Sequence, residues 1–408
     1  MPAPHRPQLR PYLAAARLDP WQSNGKEFVL YDRLRLAAVQ IPLTPLQLEC
    51  LKLFDGTRTV LDVQMQVMPL LGGQVVPIEE VVRLAEALDQ ALYLDSPRFR
   101  AAVDGPVRKA CCLGVYSPDP GELRRQMGEL FAHPQASGPP GPPRDDGRLR
   151  AVLAPHIDYH RGGLAYTFAF KELFESTPAS LFVIIGTSHY AGWRRFTLTR
   201  KHFATPLGVV PTDQAYIDRL ASHYGGDLFQ DEWVAHLPEH SIELEVVFLH
   251  YLYERKRDIR IVPILVGSFE DCVSAGDDPT ERDDLRRMVA ALQAAERETP
   301  EPVCYVISGD LAHIGPKFGA DHPLREAELA HSRSQDRAIL AKAERADSLG
   351  YFDVIARERD ARNICGLPPT WLALAATKPA SGRLLRYDQY VDPSGYESVS
   401  FASVGFYR

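Results

Sequence analysis

Three apolar runs of the chain each break off into a polar turn that carries histidine. Residues 149–154 run into Pro155-His156-Ile157-Asp158-Tyr159-His160-Arg161-Gly162-Gly163. Residues 181–185 run into Gly186-Thr187-Ser188-His189, and residues 303–307 into Ser308-Gly309-Asp310-Leu311-Ala312-His313. Short apolar runs rich in β-branched residues read as buried parallel strands. Open α/β sheets bind their ligands beyond the carboxyl ends of such strands. Imidazole suits iron, copper and zinc, and carboxylate joins it in many sites. Three strand ends that bring histidine and aspartate to one edge therefore have the layout of a metal or acid–base site.

Each turn adds its own candidates. In the first, His156 stands right at the strand end, with Asp158 and Tyr159 beside it. His160 reads equally well as a solvated surface residue, and Gly162-Gly163 let backbone come close to a ligand. In the second, Gly186-Thr187-Ser188 reads as an anion nest at a following helix start. It lacks the spacing of a Gly-x-Ser-x-Gly nucleophile elbow, which lowers a serine-hydrolase reading. A further cluster, Glu239-His240-Ser241-Ile242-Glu243, places Glu239, His240 and Glu243 near one helix start. The glutamates are also simply favourable there. His240 is a candidate general acid or base because its unperturbed pKa lies near neutrality. In the last turn Asp310 is a candidate to orient a metal-bound imidazole, with His313 close behind it. Cys365 precedes an expected helix start, where a thiolate is favoured.

The elements that must position these residues follow from length and patterning. A chain of 408 residues with 45% hydrophobic and 24% charged residues is globular and expects two domains. The net charge of −7 disfavours non-specific nucleic-acid binding. No apolar run reaches the roughly 18 residues of a membrane span, and residues 1–10 lack a signal-peptide core. The six cysteines are scattered apart from Cys111-Cys112, which is no disulfide framework, so a reduced cytoplasmic protein is expected.

Residues 27–94 read as a small unit. Strands are expected at 27–31 and 34–41, followed by a helix capped by Thr44 with Pro45 at its first position. A second helix follows Thr59, a third follows Pro77, and a return strand lies at 93–94. Residues 96–106 read as a connection. The helix expected at 120–131 belongs to the second domain, with residues 133–147 as a Pro-rich surface excursion. From 149 onward, strands at 151–154, 182–185, 260–265, 303–307 and 398–406 alternate with helices at 164–174, 213–222, 241–253, 280–299 and 327–346. That order predicts a mostly parallel sheet covered by helices. The domains are thus 1–105, a winged-helix-like module, and 106–408, an α/β domain.

Two resemblances sharpen this reading. Residues 41–60 resemble the small PqqD-like winged helices, peptide-recognition modules of radical-enzyme maturation systems. From Lys109 to Arg408 the chain resembles the Memo family. The markers are Gly114-Val115-Tyr116-Ser117-Pro118, Ala154-Pro155-His156-Ile157-Asp158-Tyr159, Gly186-Thr187-Ser188-His189, Glu239-His240-Ser241-Ile242-Glu243, Ser308-Gly309-Asp310-Leu311-Ala312-His313 and Ile364-Cys365-Gly366. Bacterial members are called AmmeMemoRadiSam system protein B, after two companions, an AMMECR-type domain protein and a radical SAM enzyme. The family fold is similar to that of class III extradiol dioxygenases, a mixed sheet flanked by helices. The resemblance implies His156 and His189 as metal ligands. The family's third ligand, a cysteine, is replaced here by Ala312, so the site is expected to be weak or to recruit His240, Asp310 or His313.

The leading expectation is a metal-dependent oxidoreductase. Fe(II), or another transition metal such as copper or zinc, is held by His156, His189 and His240. His240, Asp310 and His313 serve catalysis, and Asp158, Tyr159, Ser188, Glu243 and Cys365 contact substrate. The alternative is a non-catalytic component that binds a peptide or protein of a radical SAM-linked system. A third reading is a metal-dependent hydrolase.

Overall fold

The computed structural model describes residues 6–17, 27–37, 39–73, 75–144 and 147–408. Residues 1–5 of the polar N-terminal stretch, Ala38 in the expected second strand, and Asp145-Asp146 of the Pro-rich excursion lie outside the described residues. The chain forms two compact units, Met1–Gly105 and Pro106–Arg408.

In the first unit, β1 (Leu13–Arg17), β2 (Phe28–Asp32) and β3 (Ile41–Leu43) form an antiparallel sheet in that order. Helices α1 (Pro45–Lys52), α2 (Val60–Leu70), α3 (Ile78–Gln90) and α4 (Pro97–Val103) follow. Thr44 and Thr59 start α1 and α2 through the same device, a capping box closed by Gln47 and Asp62. Two expectations are corrected. Residues 34–37 and 39–40 are not strand, because the Asp32 carboxylate accepts the N–H groups of Leu34 and Ala37 and turns the chain. The segment after Leu94 is not a plain connection. Ser96 caps α4, whose Phe99 and Val103 are buried.

The second unit opens with β4 (Val107–Arg108) and α5 (Pro120–Ala132), then β5 (Leu149–Ala154), α6 (Tyr159–Ser176) and β6 (Leu181–Thr187). Next come β7 (Phe196–Leu198), β8 (His202–Thr205), β9 (Gly208–Val210), α7 (Gln214–Tyr224), α8 (Glu232–His236), α9 (His240–Tyr253) and β10 (Arg260–Val266). The remainder is α10 (Glu270–Ala275), α11 (Asp283–Arg297), β11 (Val303–Ser308), β12 (His313–Ile314), α12 (Glu326–Glu344), α13 (Ser348–Arg357), α14 (Leu367–Thr377), β13 (Ser381–Val391) and β14 (Ser398–Tyr407).

The main sheet runs β12-β14-β5-β11-β6-β10-β7, with β13 also paired to β14. Its four central strands, β5, β11, β6 and β10, are parallel, and β14 and β7 flank them antiparallel. Residues alternate across the sheet, as strand geometry requires. Leu181, Val183 and Ile185 pack with α7, α11 and α14, while Phe182 between them meets Tyr253 of α9. The result is a sheet covered by helices on both faces.

Register decides what the strand ends present. Ser308 of β11 is paired with Ala154 on one side and with Gly186 on the other. The carboxyl ends of β5, β11 and β6 are therefore level, and the next few residues of each emerge at one edge. The expected nest at Gly186-Thr187-Ser188 is corrected here. Both Gly186 and Thr187 belong to β6, and the chain continues into a turn and β7 rather than a helix. Gly186 serves packing instead, since a Cβ there would lie 2.7 Å from Ser241 Oγ.

Candidate metal centre

Three imidazoles converge at this edge. The candidate ligand atoms of His156, His189 and His240 all lie within 4.8 Å of one another. The His156 ring centroid is 5.1 Å from that of His189 and 5.2 Å from that of His240. The His189 and His240 rings stack at 4.6 Å.

Each ring is oriented by a partner on its other nitrogen. Ser308 Oγ donates to the Ser241 carbonyl at 2.5 Å, so toward His156 Nδ1, at 3.2 Å, it acts as acceptor. That contact puts the proton of neutral His156 on Nδ1 and leaves Nε2 as a lone pair. Burial, helped by the neighbouring histidines, holds the His156 pKa well below its ordinary value, so the ring is the neutral form that ligates a metal. His189 is held by Glu239, whose Oε2 accepts its backbone N–H at 2.8 Å and whose Oε1 lies 2.9 Å from Nδ1. Glu239 Oε1 is also 3.2 Å from His240 Nδ1. The same carboxylate caps α9 by accepting from the backbone N–H groups of His240 and Ser241. Burial alone pushes the Glu239 carboxyl up, but His189 and His240 outweigh it and hold its pKa well below the usual range. Burial likewise opposes charge on His189, and Glu239 reverses this and raises it.

Asp310, two residues beyond β11, accepts the His156 backbone N–H at 3.0 Å, and its other oxygen is 3.8 Å from His156 Nε2. Burial pushes its carboxyl up to about 7. Cys365, from the loop before α14, places Sγ 3.1 Å from His156 Nε2. Burial, then Asp310, pushes that thiol upward. His156, Asp310 and Cys365 form a second group of donors within 4.8 Å, sharing His156 with the first. Ala312 is buried in the core with its N–H donated to Ser400 Oγ.

The other expected residues divide. Asp158 caps α6 and pairs with Arg161. Ser188 is buried, and its hydroxyl has no hydrogen-bond partner among the described residues. Two are committed inside the fold instead. Tyr159 is buried with its hydroxyl donated to the Leu244 carbonyl, and Glu243 is bound by Arg108, Tyr116 and the N–H groups of Cys111 and Cys112. His313 lies outside the triad. Its Nδ1 faces the Leu311 and Asn363 carbonyls, and burial pushes its pKa down to about 4. It borders a cleft of about 520 Å³ lined also by Phe318, Leu324, Glu328, His331 and Asn363.

The reading of the sequence missed Ser308 and Glu239 as the groups that orient the imidazoles. Glu239 had one signal, its place directly before His240 at a helix start. Ser308 had only its position at a strand end.

A level sheet edge carrying oriented imidazoles defines a metal-capable α/β protein. Residues 108–405 match the Memo-like proteins, and the chain belongs to that family. A MEMO1 family protein of Aquifex aeolicus is 25% identical over 398 residues, covering 95% of this chain and 97% of its own. One of Methanopyrus kandleri is 30% identical over 301 residues, covering 72% of this chain and 96% of its own. The crystal structure of an uncharacterized Escherichia coli K12 protein aligns with 64% of this chain and all of its own at 16% identity and a TM-score of 0.38. Among the described residues no helix is long and apolar enough to cross a membrane.

Proposed function

We propose that the second unit is a redox protein built on a transition-metal centre, with His156, His189 and His240 as ligands and Fe(II) as the first candidate ion. The observation that carries this reading is the orientation of the rings. Ser308 and Glu239 occupy the Nδ1 side of His156 and His189, which leaves Nε2 of each for an ion. Imidazole donors fit iron, copper and zinc, and the nearby Cys365 adds a soft donor at the position that Ala312 cannot supply. A bound ion of this kind supplies Lewis-acid and electron-transfer chemistry.

The residues around it hold protons. Asp310, with its pKa near 7, gives or takes a proton at the oxygen facing His156. His240 is more exposed than His156 and sits where the site meets solvent, which suits it to exchange a proton with a bound substrate. The cleft beside His313 is the candidate place for an organic substrate. We assign the first unit to peptide recognition, and the companions to an AMMECR-type protein and a radical SAM enzyme. Ala312 favours the second reading, a binding component whose metal is incidental.

The test is protein purified without oxygen and analysed for metal. Near-stoichiometric iron or copper that disappears in His156→Ala and His189→Ala supports the centre. Equal metal content in wild type and both variants overturns it.

A further inference from the structure

A second set of metal donors, built on Cys111 and Cys112, shares no ligand atom with the histidine triad. Cys111 Sγ is 3.5 Å from Cys112 Sγ, with Cys111 exposed and Cys112 partly so. Cys50, Cys272 and Cys304 are buried, and Cys365 lies at the histidine centre, so these adjacent thiols are the accessible pair of the chain.

The pair is held in place from beneath. Glu243 accepts the Cys111 backbone N–H at 2.9 Å and that of Cys112 at 2.8 Å. Buried Arg108 pairs with Glu243, and its Nη2 donates to Cys111 Sγ at 3.0 Å and to the Glu239 carbonyl at 2.6 Å. Tyr116 donates its hydroxyl to the same carboxylate. The geometry groups Glu243 with the two sulfurs, yet its oxygens are already taken by this network. What remains for an incoming ion is two thiolates. Soft sulfur donors select Cu(I), whereas zinc in structural sites asks for four ligands.

We propose that Cys111 and Cys112 form a surface dithiolate site for a monovalent soft ion of the Cu(I) class, separate from the histidine centre. Thiols that ligate give up their protons, so binding exchanges protons for the ion with no change of oxidation state.

The experiment uses the full chain, reduced and free of oxygen, competing with bicinchoninate for Cu(I). One Cu(I) equivalent is expected to weaken at least tenfold in Cys111→Ser/Cys112→Ser while persisting in His189→Ala and in Cys365→Ser. Exposed Cys111→Ser alone gives the same loss in a variant with little risk to folding. Undiminished binding in both serine variants overturns the proposal. So does a His189→Ala or Cys365→Ser chain that holds no Cu(I) at all although Cys111 and Cys112 are intact, which puts the copper in the histidine centre. Iron retention in His156→Ala tests the other site, so the two readings fail separately.

Discussion

Cys365 Sγ lies 3.1 Å from Nε2 of His156, the nitrogen that Ser308 leaves free. The thiol arrives from the loop before α14, while Ala312, on the turn after β11, carries no donor and packs in the core. The loop is tied down by its own backbone. The Gly366 N–H donates to the Asp310 carbonyl, and Thr187 Oγ1 donates to the Cys365 carbonyl at 2.7 Å. A Cβ on Gly366 would meet that Asp310 oxygen at 2.5 Å, so this close approach requires glycine.

This relationship makes Cys365 a ligand candidate with a spectroscopic signature. Co(II)-loaded protein should show thiolate-to-metal charge transfer, and Cys365→Ser should lose it. The same variant should hold metal about tenfold more weakly, about 1.4 kcal/mol. A Co(II) spectrum without a sulfur band excludes Cys365 from the ligand set.

Ala312→Cys asks whether position 312 also faces the ion. The added sulfur enters a packed region, where excess volume costs about 1–3 kcal/mol, so the unfolding midpoint should fall. Metal retention should nevertheless rise. Unchanged metal content, measured beside His156→Ala, shows that position 312 does not reach the centre.

Glu239→Gln tests the carboxylate that orients two of the rings. Its oxygens accept from His189 and from the first N–H groups of α9, and an amide replaces one acceptor with a donor. Losing such support typically costs 10–100-fold in metal affinity. A buried donor left unmatched costs about 1–3 kcal/mol of stability. Competition with a chelator and urea unfolding read the two effects. Wild-type affinity in this variant means that Glu239 serves only as a helix cap.

Much of the candidate site was legible because the strand-end pattern is local. His156, His189 and Asp310 each follow an apolar run directly, and the parallel register then brings them to one edge. What was not legible depends on pairing between distant segments. Glu243 is bound by Arg108, 135 residues earlier, so nothing near Glu243 told it apart from an ordinary acidic residue at a helix start. Cys365 reaches His156 across 209 residues. Strand β13 escaped because Arg383, Arg386, Asp388 and Gln389 interrupt its apolar residues, and its burial pattern is mostly half-exposed. The misread nest at Gly186 has the same origin. A glycine that admits a neighbouring helix looks, in sequence, like one that turns a loop.

Asp310 gives a pH dependence whose sign can be worked out. Its folded pKa is raised to about 7 from 3.8, chiefly by burial. In metal-free protein below about pH 3.8, Asp310 is protonated in both states and contributes no pH dependence. Between there and about 7 the folded state binds more protons than the unfolded one, so stability from this group falls as pH rises. Above about 7 the loss is complete. Asp310→Asn removes the term. The stability of the variant minus that of wild type should climb by up to about 1.4 kcal/mol per pH unit through this window and then level off. Urea unfolding at several pH values in the presence of a chelator measures it. A difference that stays flat from pH 4 to 7 means that Asp310 is ionised in the folded protein.

The first unit should be removable. Its core is self-contained: Leu43, Leu51, Val63, Val67, Val81, Leu84, Leu88 and Tyr93 pack together. Its last helix stays with it, since Phe99 lies under the Arg10 guanidinium and both residues belong to Met1–Gly105. Arg10 in turn pairs with Asp32 in the same unit. The second unit begins its own pairing at once, with Val107 and Arg108 of β4 against His202 and Phe203 of β8. A domain boundary falls where the chain passes from one such set to the other. A chain starting at Pro106 should therefore melt cooperatively and keep the metal content of the full protein. Arg108 must be retained, because it is buried and paired with Glu243, and removing one partner of a buried pair costs about 3–5 kcal/mol. A start at Lys109 should accordingly be much less stable than a start at Pro106. If the longer fragment is insoluble, or loses its metal while the full chain keeps it, the first unit contributes to the core or to the centre and the separation is wrong.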